Sequence, residues 1–227
     1  MIKASELVEK FKYAYTERWG YILNTAGVIW NQSDQDEAER EYNNAVKKGD
    51  QKLITRWENA AKYGSKWVGR KVTDCSGLFW WAFKQLGGYM YHGSNTMWSK
   101  YSVSKGDLKS GKRSDGKKLI PGTAVFRRNG YDYYHVGLYI GDSKVIEAQG
   151  TQVGVVISSI NRWHAWAELK GVTYEQEVSP VSEIYLDAYV SAIGGVNFRA
   201  VPSVTGTRIE NLPRGTVIKA MPGVKGW

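Results

Sequence analysis

Three polar side chains in the second and third quarters of the chain could together do nucleophilic chemistry. The chain holds a single cysteine, Cys75, and three histidines. Cys75 stands in TDCSGLFWWAFKQLGG, residues 73–88, at the head of a run whose Leu78, Phe79, Ala82, Phe83 and Leu86 share one helical face, and which stops at Gly87 and Gly88. A helix start carries partial positive charge and free N–H groups. These stabilise a thiolate and, with a histidine near, lower a thiol pKa from ~8.5 towards ~3.5–7.5. Taken alone, a cysteine beside an aromatic face is more often a small buried hydrophobe than a nucleophile. Asp74 and Ser76 tip the reading towards a helix start wet enough for substrate.

The candidate base is His135, first residue of the strand-like HVGLYIG. Alternation along a strand puts His135, Gly137 and Tyr139 on one face and Val136, Leu138 and Ile140 on the other. Gly137 then leaves room for a ligand to approach. Beyond the turn GDSK, Glu147 or Gln149 falls opposite or diagonal to His135 on the same face. A carboxylate there fixes the imidazole tautomer and stabilises the imidazolium, the role of a third triad member.

These groups need a scaffold of helices first and strands after. Residues 5–19 carry Leu7, Phe11, Ala14 and Tyr15 at helical spacing behind Ser5, a plausible cap. The polar stretch from Ser33 to Tyr63 has an acidic start, lysines before Gly49 and a restart at Asp50, which predicts a solvated pair of helices. After the aromatic helix the period changes. TAVFRR, YYHVGLYIG, KVIEAQG and VGVVISS are short, β-branched and aromatic, the strands of an antiparallel meander. That order predicts an α+β domain with its helices on one side of the sheet. Acidic residues and Pro180 mark a linker at 173–185, and the remainder reads as a small all-β module.

Composition narrows the setting. The chain has 227 residues, room for one sizeable core and a small second domain. Ten tryptophans and fifteen tyrosines suit a protein that offers aromatic faces to a polar ligand. The net charge of +9 should draw the surface to polyanions; nucleic acid, acidic membrane and anionic cell-wall polymers all qualify, and charge alone does not choose among them. The positive charges are scattered and form no nucleic-acid motif, so no nucleic-acid partner is expected. One cysteine excludes a disulfide framework and a four-cysteine zinc site, and no His-Glu-x-x-His stretch occurs; neither metal nor cofactor is expected. Charged residues interrupt any apolar segment at the start, so neither a signal peptide nor a transmembrane span is expected.

TDCSGLFWWAFKQLG, PGTAVFRR and YHVGLYIGDSKVIEAQGTQVGVVISS, taken in order, resemble the NlpC/p60 family of cell-wall cysteine peptidases. The resemblance covers most of residues 1–172, with 33–63 as a helical insertion. It implies a papain-like core that hydrolyses peptidoglycan stem peptides, commonly between γ-D-glutamate and the following diamino acid. Carried over by position, Cys75 is the nucleophile, His135 the base and Glu147 the third member, with Gln149 as its rival because histidine is commoner in that slot. Tyr21 in WGYILNTAG lines the site or shapes a substrate wall, and Asp74 and Ser76 grip the amino end of the stem peptide. Pro-Gly-Thr replaces the family's Pro-Gly-Asp at Thr123, to which no role is assigned. Residues 186–227, with VNFRAVPS, LPRGTVIKAM and a final Gly-Trp, resemble a bacterial SH3-like domain that lacks its closing strands. Expected partners are therefore peptidoglycan and muropeptides, and the expected setting is a secreted or wall-associated protein or a phage lysin. Two other readings stay open: a CHAP-type amidase or endopeptidase, and a non-catalytic wall-binding protein.

Overall fold

The structure is a computed structural model that describes residues 1–174, 186–199 and 207–220. Strand β1 (Ile2–Lys3) runs into helix α1 (Ala4–Thr16), whose Leu7, Val8, Phe11 and Ala14 recur on one buried side. Ser5, expected as the cap, lies inside α1. Lys3 is the cap instead, and its backbone N–H donates to the Glu6 carboxylate at 2.9 Å, a carboxylate reaching back one turn to an orphan donor.

Strands β2 (Gly20–Tyr21) and β3 (Ala26–Ile29) flank β4 (Lys71–Thr73) in a three-stranded sheet. Between β3 and β4 stand α2 (Gln32–Lys48) and α3 (Gln51–Tyr63). The Asn31 side chain accepts the Asp34 N–H, Gly49 closes α2 in the left-handed region, and the Asp50 carboxylate accepts from Lys52 and Leu53. The pair is less solvated than its polar sequence predicts. Ala38 and Ala60 pack with Ile22, Trp30, Trp67 and Val72 in a core of their own. Gln35, 1% exposed, accepts the Trp30 indole N–H at 3.1 Å and donates to Glu39 and to the Ala61 carbonyl. Small residues let the helices approach the sheet closely, and one satisfied amide takes the place of the long apolar stripe that a reader of the sequence would look for.

Helices α4 (Cys75–Gln85) and α5 (Ser94–Lys100) precede a seven-stranded sheet. Its strands are β5 (Ser102–Lys109), β6 (Lys112–Arg113), β7 (Ala124–Asn129), β8 (Asp132–Gly141), β9 (Lys144–Gly150), β10 (Gly154–Ser159) and β11 (Ala165–Leu169), in the spatial order β10-β9-β8-β7-β11-β5-β6. The meander β7 to β10 is antiparallel throughout. Helix α5 and strands β5 and β11, which extend the sheet beyond the meander, lack a strong periodic signal in the sequence. Strand β12 (Val172–Thr173) returns beside β1 in parallel.

Alternation explains the layers. Ala124 and Phe126 of β7, Val136 and Leu138 of β8, and Ile146 and Ala148 of β9 pack with α1 and α4 around Leu7, Phe11, Phe79 and Phe83. Val125 and Val145 point the other way and pack with Leu108, Ile160, Trp163 and Trp166. Both faces of the sheet are therefore covered, one of them by helices.

The chain divides into two compact units, Met1–Glu175 and Gln176–Trp227. In the second, β13 (Leu186–Tyr189) pairs with β16 (Val217–Ala220), and β14 (Val196–Arg199) with β15 (Arg208–Leu212), both antiparallel. The expected linker lies outside the described residues from 175 onward, as do Pro202, Ser203 and the final Gly-Trp of the SH3-like resemblance. Among the described residues no helix is long and apolar enough to cross a membrane.

Candidate active site

Strand β4 ends at Thr73, and Asp74 turns the chain into α4 so that Cys75 is its first helical residue. The Asp74 carboxylate binds that turn together. It accepts the Gly77 N–H at 2.7 Å, the Ser76 hydroxyl at 3.2 Å and the Asn24 N–H at 2.8 Å, and lies 2.9 Å from the His92 Nε2. Its own N–H donates to the Thr25 carbonyl. A Cβ on Gly77 would lie 2.1 Å from that carbonyl, which is why glycine stands third in the helix. Asp74 and Ser76 are 4% and 5% exposed, so this helix start is drier than expected: the loop after β2 and His92 cover it.

His92 was not among the residues singled out in the sequence, where its only signal is its rarity. Its hydrogen bond to Asp74 raises the imidazole pKa, against a smaller opposing effect of burial. A raised folded value adds stability that is complete below the ordinary ~6.5 and is lost as pH rises through the folded value. Melting temperatures of His92→Gln and the parent should thus differ most near about pH 5.5 and converge in alkaline buffer. A gap of constant size across pH would show that the ion pair contributes nothing.

The Cys75 thiol faces β8. The β8–β9 ladder begins only at Leu138↔Ile146, and ahead of it the Val136 backbone hydrogen-bonds the thiol. The residue keeps some surface open to solvent, yet burial pushes the thiol up to about 12, with the Asp74 charge adding to it. Hydrogen bonds from the backbones of Val136, Ser76 and Cys75 itself pull in the other direction and lose. The expectation of a thiol lowered by the helix start is thereby reversed, because desolvation disfavours the thiolate more than the helix-start donors favour it.

His135, 7% exposed, sits directly before Val136 in β8, and its ring lies against Trp163, whereas Cys75 packs against the core on the helix-covered face of the sheet. The His135 Nε2 lies 2.6 Å from Oε2 of Glu147, a residue with no exposed surface. That bond fixes the tautomer: Nε2 carries the proton to the carboxylate, and Nδ1 keeps a lone pair. Among the described residues no hydrogen bond joins Cys75 to His135, and Nδ1 has no partner. Gln149 is exposed, so of the two candidates Glu147 is the one that meets the imidazole.

Two further residues complete the cluster. The Arg127 Nη2 donates to both Glu147 oxygens, at 2.9 and 3.2 Å. Burial pushes the Glu147 carboxyl up, but hydrogen bonds from His135 and Ser158 and the charges of His135 and Arg127 outweigh it and hold the group below its ordinary value. Trp163 lies under both side chains: its ring stacks on His135 at 5.5 Å with 15° between planes, and the Arg127 guanidinium sits 4.8 Å from its centroid. Gly137 makes room for this tryptophan, not for a ligand, since a Cβ there would be 2.7 Å from the Trp163 ring. Arg127 could have been found in the sequence as a charge paired across β7–β8 with His135.

Tyr21 closes the other side. Burial, then the neighbouring Cys75 and Asp74, raise its hydroxyl pKa far above the ordinary range, so it stays a protonated donor near the sulfur.

Residues 59–173, just over half of the chain, match the family model described as NlpC/P60 family. No curated protein sequence matches. Among solved structures, the P60 domain of an antigen from M. avium subspecies paratuberculosis is 16% identical, with 69% of this chain and 87% of that one covered at a TM-score of 0.39. The peptidoglycan hydrolase RipB from Mycobacterium tuberculosis is 18% identical, with 69% and 59% covered at 0.37. RipD from the same organism, a non-catalytic NlpC/p60 domain protein adapted to peptidoglycan binding, is 13% identical, with 71% and 96% covered at 0.37. With that match across its thiol, imidazole and carboxylate, the chain belongs to the NlpC/P60 family, whose members are usually peptidoglycan hydrolases.

Proposed function

We propose that the chain is a cysteine endopeptidase that cleaves peptidoglycan stem peptides at the γ-D-glutamyl–diamino acid bond, with Cys75, His135 and Glu147 as its catalytic residues. The 2.6 Å hydrogen bond between the buried His135 and Glu147, in a chain whose family match also spans Cys75, carries this reading. Glu147 holds Nε2, so Nδ1 takes the thiol proton as the sulfur attacks the amide carbonyl, and the imidazolium then returns it to the leaving amine. The Cys75 N–H, unused within the helix, and the Tyr21 hydroxyl donate to the developing oxyanion. Water hydrolyses the acyl-enzyme. Asp74 organises the helix start, and a stem-peptide amine would reach it only by displacing His92. Ser76 donates inward to Asp74 and supports that arrangement. Residues 186–227 are read as a partial SH3-like wall-binding module, on the strength of their sequence.

The test is incubation with defined muropeptides and mass analysis of the products. New termini at γ-D-glutamate support the reading; cleavage at the sugar–peptide linkage or in a cross-bridge would replace it with the CHAP-type activity. Tyr21→Phe should lower kcat by about 10²-fold with little change in KM, as loss of one oxyanion donor does. An unchanged kcat would remove Tyr21 from that role.

One observation favours a second reading, wall binding without turnover: among the described residues no hydrogen bond joins the Cys75 thiol to His135. Muropeptide binding with no product under any condition would establish it. In the endopeptidase the same observation means that alkylation by iodoacetamide climbs steadily with pH, because no thiolate–imidazolium pair is preformed.

A further inference from the structure

The helical pair between β3 and β4 does more than brace the sheet. A cleft of about 240 Å³ opens between α3 and the segment that follows β2, and Tyr21 belongs both to its lining and to the surroundings of the Cys75 thiol. The opposite wall is α3, which contributes Thr55, Arg56, Trp57 and Asn59. The cleft is smaller than the ~300–1,000 Å³ of sites that engulf a whole ligand, so it suits one portion of a longer chain lying across the nucleophile.

Arg56 gives that portion a chemical character. Its guanidinium lies 5.1 Å from the Trp57 ring centroid, and among the described residues it has no carboxylate partner. The acidic neighbour Glu58 is engaged by Lys62 at 2.6 Å. A planar guanidinium laid on an indole presents its edge for a two-pronged contact with a carboxylate, while the ring offers an apolar face to the adjoining carbon chain. Asn59 supplies a further polar group, while the Thr55 hydroxyl one turn before it already donates to the Gln51 carbonyl at 2.8 Å. The wall is firmly built, because Gln35 of α2 accepts the Trp30 indole N–H in a buried hydrogen bond and donates to the Ala61 carbonyl of α3.

We propose that α3 forms a carboxylate-binding subsite, with Arg56 pairing a free carboxylate of the peptide substrate and Trp57 packing the carbons beside it. This rests on the reading of the site as one for stem peptides. It gives the inserted helices a part in substrate choice: peptides whose carboxyl groups are free bind better than the same peptides with those groups amidated.

Affinities are measured by calorimetry on full-length Cys75→Ala protein, with and without Arg56→Gln, using one stem peptide in free-acid and amidated forms. The expected result is a preference of about 3–10-fold for the free acid, abolished by Arg56→Gln while the amidated peptide binds unchanged. Equal affinity for the two forms with Arg56 present, a preference that survives Arg56→Gln, or absence of binding would each overturn the subsite. Hydrolysis by protein retaining Cys75 is scored separately. Turnover without a carboxylate preference removes the subsite and leaves the endopeptidase standing; a preference without turnover does the reverse.

Discussion

Cys75→Ala should reduce stem-peptide hydrolysis by at least about 10⁴-fold while the protein still melts within a few degrees of the parent. The size follows from the chemistry: without sulfur no acyl-enzyme forms, and what remains is the binding and oxyanion stabilisation of a site attacked by water alone. The small effect on stability follows from the surroundings. Cys75 is one helical residue among a well-packed set, and the groups that hold the turn together act through Asp74 and Gly77. Alanine at a first helical position keeps the backbone, and only the sulfur is lost from a residue that packs against the core while keeping some open surface, at a cost of about 1–2 kcal/mol. Product masses and a thermal melt check both halves. Substantial residual cleavage in the alanine protein would remove the nucleophile assignment. A collapse of the fold would show instead that the thiol's contact with Val136 is structural, and Cys75→Ser would then separate the two roles.

Much of the site is legible in the sequence because its parts sit at the ends of regular elements. Cys75 heads an aromatic helix, and His135 and Glu147 lie on neighbouring strands on one face, so the strand period brings the last two into contact. Periodicity does not state how dry a helix start is. Asp74 and Ser76 look like solvent groups in a linear reading, but the loop after β2 folds over them through contacts some fifty residues distant in sequence. The raised thiol has the same origin, since desolvation is a tertiary property. Arg127 and Trp163 are also tertiary partners: an arginine in a strand otherwise reads as a solvated charge, and a tryptophan in a short turn as filler. The α2–α3 pair misleads for another reason. Its polar faces dominate its composition, while docking depends on two alanines, one glutamine and the partly buried Trp57.

The second large effect concerns Glu147→Gln, where two consequences can be pulled apart. The first is structural. Arg127 has a side chain 15% exposed and Glu147 one with no exposure, so the substitution strands a nearly buried guanidinium. The expected loss is about 2–4 kcal/mol, less than for a fully buried pair because water still reaches Arg127. Because the Glu147 carboxyl titrates below its ordinary value in the folded protein, its contribution is complete above about pH 4.3 and fades as pH falls through the folded value. The stability gap between parent and variant should accordingly close in acid. The second consequence is catalytic. Two donors, Arg127 Nη2 and His135 Nε2, now converge on an amide with one oxygen and one NH2, so one of them must face a donor. If the imidazole loses, its tautomer is no longer fixed with Nδ1 free, and no charge stabilises the imidazolium. A fall in kcat of about 10²–10⁴-fold is expected, with KM little changed. Adding Arg127→Met should restore most of the stability, because it removes the stranded charge, and none of the rate. Recovery of both together would make Glu147 a structural partner of Arg127 only. Normal turnover in Glu147→Gln alongside a severe defect in Gln149→Ala would pass the third role to Gln149, even though its side chain is exposed in the resting site.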